Sequence, residues 1–189
     1  MSIKIIDDVV PKEMFELIAE HFSKGIWDFT NRSEDNDLNT SFSANDYCNQ
    51  INAYIKNNEL NKSNIVFNLW VNINEKLQIE KNYKNKLKRV WLNGGPPLYD
   101  QKIHCDSHDT FSKDLTIVCF IHPYWNTTWG GELLIYDVNQ TRVINGVFPL
   151  PNRVIMFPSY LPHRAVSVSR ISSRMRVSIA FQCKYDYNL

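Results

Sequence analysis

The chain has 189 residues, 43% of them apolar, which is enough for one sizeable core and too little for two full domains. With 21 Lys plus Arg against 20 Asp plus Glu, the net charge of +1 excludes a strongly basic nucleic-acid binder and an acidic disordered tail. No run reaches the roughly 18–20 apolar residues of a membrane span, and the N-terminus has no apolar stretch behind a basic patch.

The gaps between Cys48, Cys105, Cys119 and Cys183 match neither a zinc knuckle nor a CxxC pair, so free thiols in a cytoplasmic protein are expected. Residues 1–60 carry 5 basic and 11 acidic side chains, and residues 61–189 carry 16 and 9. An anionic ligand in the second half would suit that asymmetry, although Lys76 to Arg89 also reads as a solvated helix face and its exit.

In chain order, Val9 to Phe22 reads as a helix, with Pro11 near its start and Phe15, Ile18 and Phe22 forming an apolar stripe. Gly25 ends it. Trp27 to Tyr47 is polar and turn-rich and reads as a long surface loop. Asn45–Leu60 and Asn64–Leu87 read as helices, the second with Val66, Leu69, Trp70, Ile73 and Leu77 at helical spacing.

From Arg89 the texture changes to short β-branched and aromatic runs between Gly, Pro and Asn. Strands are predicted at 88–93, 98–104, 114–121, 131–137, 141–147, 152–157, 163–168 and 174–183. Eight short strands with short connections fit a mainly β chain, a double-sheet jelly roll flanked by the N-terminal helices. Residues 1–189 are thus expected to form a single domain, with 1–87 as helical support and 88–183 as the jelly-roll core.

His104-Cys105-Asp106 ends a predicted strand, where alternation puts His104 and Asp106 on one face. His163 opens another strand. Two imidazoles and one carboxylate make the facial triad that holds Fe(II) and leaves adjacent positions open. An HxD triplet alone is a weak signal. His108 reads as rim, and His21 and His122 as structural.

The strand from Arg174 to Gln182 alternates, and its even-numbered face carries Arg174, Arg176, Ser178 and Ala180. An arginine facing a cavity is costly unless paired, and a dicarboxylate matches its fork. Ser178 can add a hydroxyl to the same carboxylate. Tyr124, Trp125, Trp129 and Tyr160 are expected at the mouth or in plain packing.

Five ordered pieces carry a resemblance: His104-Cys-Asp106, Trp129-Gly130-Gly131-Glu132-Leu133, Pro151-Asn152-Arg153-Val-Ile-Met-Phe157-Pro158, His163-Arg-Ala-Val, and Arg176-Val-Ser178. In these the chain resembles the Fe(II)- and 2-oxoglutarate-dependent dioxygenases, most closely the prolyl-hydroxylase-like branch, over residues 88–183. The resemblance implies a double-stranded β-helix, cupin-like core with His104, Asp106 and His163 as iron ligands. It implies Arg176, helped by Ser178, as the anchor of the distal carboxylate of 2-oxoglutarate, with Arg174 as the other candidate and Tyr99 as a further contact.

The implied reaction consumes 2-oxoglutarate and O2, releases succinate and CO2, and hydroxylates an unactivated C–H bond of a small-molecule or peptidyl substrate, a prolyl or similar one. No nucleic-acid partner is expected. Three rivals remain at this point, one of them a purely structural or interaction domain in which the triad is accidental. Another is a jelly-roll metal- or sugar-binding protein or isomerase, in which Arg176 pairs internally. The third is a zinc hydrolase, for which Glu132 is the nearest candidate base.

Overall fold

The computed structural model describes residues 2–23, 27–31, 41–57, 64–77 and 87–184. Three helices, α1 (Lys12–Ser23), α2 (Asn45–Lys56) and α3 (Ile65–Leu77), accompany ten strands. The strands are β1 (Lys4–Ile6), β2 (Asp28–Asn31), β3 (Ser41–Ser43), β4 (Leu87–Gly95), β5 (Asp114–Phe120), β6 (Leu133–Tyr136), β7 (Val143–Val147), β8 (Val154–Pro158), β9 (His163–Ala165) and β10 (Arg176–Lys184). They form a seven-stranded sheet in the order β1-β8-β5-β10-β4-β3-β2 and a three-stranded sheet in the order β7-β6-β9. All the ladders are antiparallel, and neither sheet closes on itself. No described helix is long and apolar enough to cross a membrane.

The large sheet is covered on both faces, so β5 and β8 are buried at every position even though their side chains alternate. Val90 and Leu92, Leu115, Ile117 and Cys119, Val154 and Met156, and Val177, Ile179 and Phe181 face the helices. They meet Phe15, Ile18 and Phe22 of α1 and Val66, Leu69, Trp70 and Ile73 of α3. Trp70 is fully buried, its ring 5.4 Å from that of Phe181. Val118, Phe120, Ile155 and Phe157 face the other way and join Leu133, Ile135 and Val147 of the small sheet in a second core. The period-2 pattern therefore sorts one sheet into a structural face and a face available to a site.

Several boundaries differ from the sequence expectation, each for a local reason. The first helix starts at Lys12 rather than Val9, because Asn152 takes the backbone of Val10 out of helical pairing. α3 starts where expected, with Asn64 Oδ1 accepting from the N–H groups of Val66 and Phe67. It does not run to Leu87, which pairs with Cys183 in the sheet. The proposed end of α1 at Gly25 and the last residues expected of α2 lie outside the described residues.

The segment 98–104 forms no ladder. Pro96 and Pro97 supply no N–H and Leu98 has φ +67°, so only isolated bridges at Pro97 and His104 remain. Within the expected loop 27–47, residues 28–31 and 41–43 are strands, and 32–40 lie outside the described residues. β1 was not foreseen, since three residues carry no readable alternation. The first 87 residues are thus not purely helical support, for they add three strands to the large sheet.

Asn152 ties the chain's start to the turn before β8. At φ +58° it is 6% exposed, its Oδ1 accepts from Val10 N at 3.1 Å, and its Nδ2 donates to Val10 O at 2.8 Å. Arg153 beside it grips Asp7 through two nitrogens, at 2.6 and 2.9 Å. Asn152→Ala strands two buried backbone groups and strains the left-handed residue. It is expected to cost roughly 2 kcal/mol in urea unfolding, with Asn152→Gly recovering only the backbone strain.

Candidate metal centre and cavity

Between the two sheets lies a cavity of about 570 Å³, and the even-numbered face of β10 forms its floor. Arg176, Ser178, Ala180 and Gln182 stand opposite Gly95, Asn93, Trp91 and Arg89 of β4. On the other side Ser178, Ala180 and Gln182 stand opposite Phe120, Val118 and Thr116 of β5. Paired residues of an antiparallel ladder share a face, so this register alone sets the order of groups along the cavity.

His104, Asp106 and His163 converge on one side of it, each offering a ligand atom within 4.8 Å of the others. The backbones of His104 and His163 exchange N–H···O bonds of 3.0 and 2.9 Å. Both imidazoles are held alike: Nδ1 faces the carbonyl of the residue two positions back, Lys102 O at 3.1 Å and Leu161 O at 2.9 Å. A carbonyl can only accept, so Nδ1 carries the proton and each Nε2 keeps its lone pair for a cation.

Those Nε2 atoms lie 3.9 Å and 3.6 Å from the two oxygens of Asp106. Burial pushes the pKa of His163 below its ordinary value despite the pull of Asp106, so its imidazole is neutral, as a metal requires. Thr116 Oγ1 donates to Asp106 Oδ2, and Ser159 O accepts from the N–H groups of Asp106 and Ser107.

Arg176 occupies the deep end, 5% exposed. Its Nε donates to Gly131 O at 2.9 Å, Nη1 lies 3.5 Å from Ser178 Oγ, and its carbon Cζ sits 4.9 Å from the Phe120 ring centre. Burial lowers its pKa to about 10, and it forms no ion pair with any described residue. Gly131, at φ +77°, makes room for it: a Cβ there would stand 3.3 Å from Arg176 Cδ and 3.0 Å from the Trp125 ring.

Tyr99 lines the same cavity near Gly95. Arg174 does not line it: the residue precedes β10, is exposed, and engages Ser172 through its backbone. Glu132, the base that a zinc hydrolase would need, is absent from the lining and lies near Gly130. Tyr124, Trp125, Trp129 and Tyr160 are also absent from it; Trp125 packs against His122 behind Arg176. His108 lies at the exposed rim as expected, and His21 packs on Phe22 and Tyr47.

Thr116, Gln182, Arg89 and Trp91 were not foreseen as cavity residues. For Gln182 the signal was present, since it continues the alternation of Arg176 and Ser178.

Residues 97–182 match the family model of the 2OG-Fe(II) oxygenase superfamily, and the triad lies inside that segment. The segment is similar to a 2OG-Fe(II) oxygenase domain. Membership of the superfamily and an enzymatic dioxygenase function are supported by the match together with the triad.

The fold of the chain is shared with solved structures of low identity. A Pseudomonas putida prolyl-4-hydroxylase is 15% identical at TM-score 0.58, over 97% of this chain and 92% of that one. A Trichoplax adhaerens prolyl hydroxylase, solved with a hypoxia inducible factor peptide fragment, is 18% identical at TM-score 0.62, over 97% and 83%. A Burkholderia pseudomallei oxidoreductase of the 2OG-Fe(II) oxygenase family is 10% identical at TM-score 0.63, over 96% and 84%. No curated protein matches the chain by sequence.

His122 supports Arg176 from behind. It is 2% exposed, its Nε2 donates to Pro149 O, and its Nδ1 accepts from Val177 N at 3.2 Å. Burial, with Arg176 and Arg174 adding repulsion, lowers its pKa from 6.5 to about 4. Below pH 6.5 the unfolded chain takes up a proton that the folded one refuses until about pH 4. The stabilisation is therefore full above pH 6.5 and declines toward pH 4, by roughly 3 kcal/mol in all. The stability gap between wild type and His122→Gln, from urea unfolding across that range, should shrink as the pH falls.

Proposed function

We propose that the protein is an Fe(II)- and 2-oxoglutarate-dependent hydroxylase of a prolyl or other amino-acid-type substrate, built as one domain on a double-stranded β-helix of the prolyl-hydroxylase-like kind. The observation that carries the reading is a His2Asp triad sharing one cavity with a buried, unpaired arginine. The donor set fits the metal: two neutral nitrogens and one hard oxygen suit a ferrous ion and leave positions open. Iron held there, with 2-oxoglutarate and O2, supplies the oxidation of an unactivated C–H bond with release of succinate and CO2.

The chain's own residues do the rest. His104, Asp106 and His163 are the proposed ligands. The carbonyls of Lys102 and Leu161 fix the two imidazoles so that metal uptake needs no change of tautomer. Arg176 is the proposed partner of the distal carboxylate of 2-oxoglutarate, which would supply the counter-charge that the fold withholds. Ser178 and Tyr99 are proposed to complete that contact. The isomerase or binding-protein reading requires Arg176 to pair internally, whereas Glu132 acts on it only as a Coulombic partner, without a hydrogen bond or ion pair.

Anaerobic titration tests this reading. Wild-type protein should bind Fe(II) and then develop a charge-transfer band with 2-oxoglutarate, while His104→Ala and His163→Ala lose the band. Arg176→Gln removes charge-assisted hydrogen bonds, each about 1.5–3 kcal/mol, and should raise the 2-oxoglutarate Kd about 10- to 100-fold. Arg174→Ala should leave it unchanged. An equal loss in both arginine variants, or no succinate under O2 across a broad substrate panel, would count against the assignment.

A further inference from the structure

The cavity contains a second guanidinium for which the proposed reaction has no use. Arg89 lines it from β4, at the opposite end of the floor from Arg176. Its Cζ lies 3.8 Å from the centre of the Trp91 ring, two residues along the same strand face. The residue is exposed at the cavity's edge, no described carboxylate forms an ion pair with it, and the triad's Asp106 acts on it as a Coulombic partner. Its cross-strand neighbour is Gln182, whose Nε2 donates to the backbone oxygen of Asp106 at 3.3 Å. Arg89 is thus one ladder position and one hydrogen bond away from the triad.

Taking the proposed oxygenase reading as its basis, we infer that Arg89 and Trp91 form the recognition point for a free carboxylate on the primary substrate. Stacking on an indole fixes the plane of a guanidinium without using its edge donors, and those donors match a carboxylate in a fork. Charge supports the same class. Among the groups that line the cavity, a divalent ion with Asp106 and Arg176 with a dianionic cosubstrate come to neutrality, so Arg89 is the lining cation left for an anionic group of the substrate.

The flat indole beside it offers apolar contact for the body of the molecule. A carboxylate held at Arg89 sets that body over Ala180 and Val118, the small and apolar positions of the floor, with the triad alongside. The substrate class is therefore a small carboxylic acid of amino-acid type, bound through the group that an internal residue of a peptide lacks.

The test uses wild-type protein loaded with Mn(II) and 2-oxoglutarate without O2, and reads ligand binding by proton relaxation rather than turnover. The probes are the free and N-acetylated amino acids, each paired with its primary amide, with proline and prolinamide as the first pair. At least one acid should bind tenfold or more tightly than its amide. Arg89→Gln should abolish that preference while the Kd for 2-oxoglutarate stays unchanged, and Arg89→Lys, which keeps the charge without the fork, should retain part of it.

A wild type without any acid-over-amide preference overturns the inference. So does a preference that survives Arg89→Gln, or an Arg89→Gln protein that loses 2-oxoglutarate as well. A wild type that takes up neither Mn(II) nor 2-oxoglutarate overturns the oxygenase reading itself, and this inference with it.

Discussion

Two hydrogen bonds between the backbones of His104 and His163 hold the site together. Neither residue lies in a long ladder: His163 opens the three-residue strand β9, and His104 sits in a segment that forms only isolated bridges. The reciprocal pair brings the imidazole rings to 4.4 Å between centroids, over a span that no local structure could bridge. Asp106 is then hung on the end of β8 through Ser159, so one carboxylate faces both Nε2 atoms. With the two imidazoles fixed by backbone atoms in this way, the geometry rests on the docking of the two sheets.

The second constraint is the cost of burying Arg176. A charge in this position would normally pair with a carboxylate inside the fold, and the chain instead gives it neutral contacts, a carbonyl, a hydroxyl and the face of Phe120, with Glu132 acting only as a Coulombic partner. Gly131 clears its path, and Trp125 and His122 stack behind. That shell orients the guanidinium without neutralising it. Stability given up here becomes affinity for a bound anion, the usual trade at a binding site.

The order of chemistry along the chain was legible, and some of the architecture was not. Alternation exposed the cavity face of β10, and helical spacing exposed α1 and α3, whereas β5 and β8, covered on both faces, read as continuous apolar runs without a marked face. Sequence failed where pairing partners decide the outcome. Leu87 has the composition of a helix end and is a strand residue because Cys183 is beside it. Residues 98–104 alternate acceptably, yet two prolines and a left-handed Leu98 remove them from the ladder. Arg174 and Arg176 share a strand parity on paper, and only the position at which β10 begins separates an exposed side chain from a cavity one. Arg89 read as one more charge on a basic helix exit. The register of β4 against β10 is what sets it, still exposed, at the edge of the cavity.

That register also explains why the cavity exists at all. From Arg176 to Gln182 the strand advances about 20 Å, and four side chains face the gap between the sheets. The outer pair are long and polar, and the inner pair, Ser178 and Ala180, are small. A leucine at either inner position would extend the core formed by Val118, Phe120 and Phe157 and close the space. Small residues in the middle of a buried strand sacrifice packing, which makes sense only if something else fills the volume during function. Polar groups at both ends and a shallow centre describe a slot for molecules gripped by their charged ends while the uncharged middle is left to the metal.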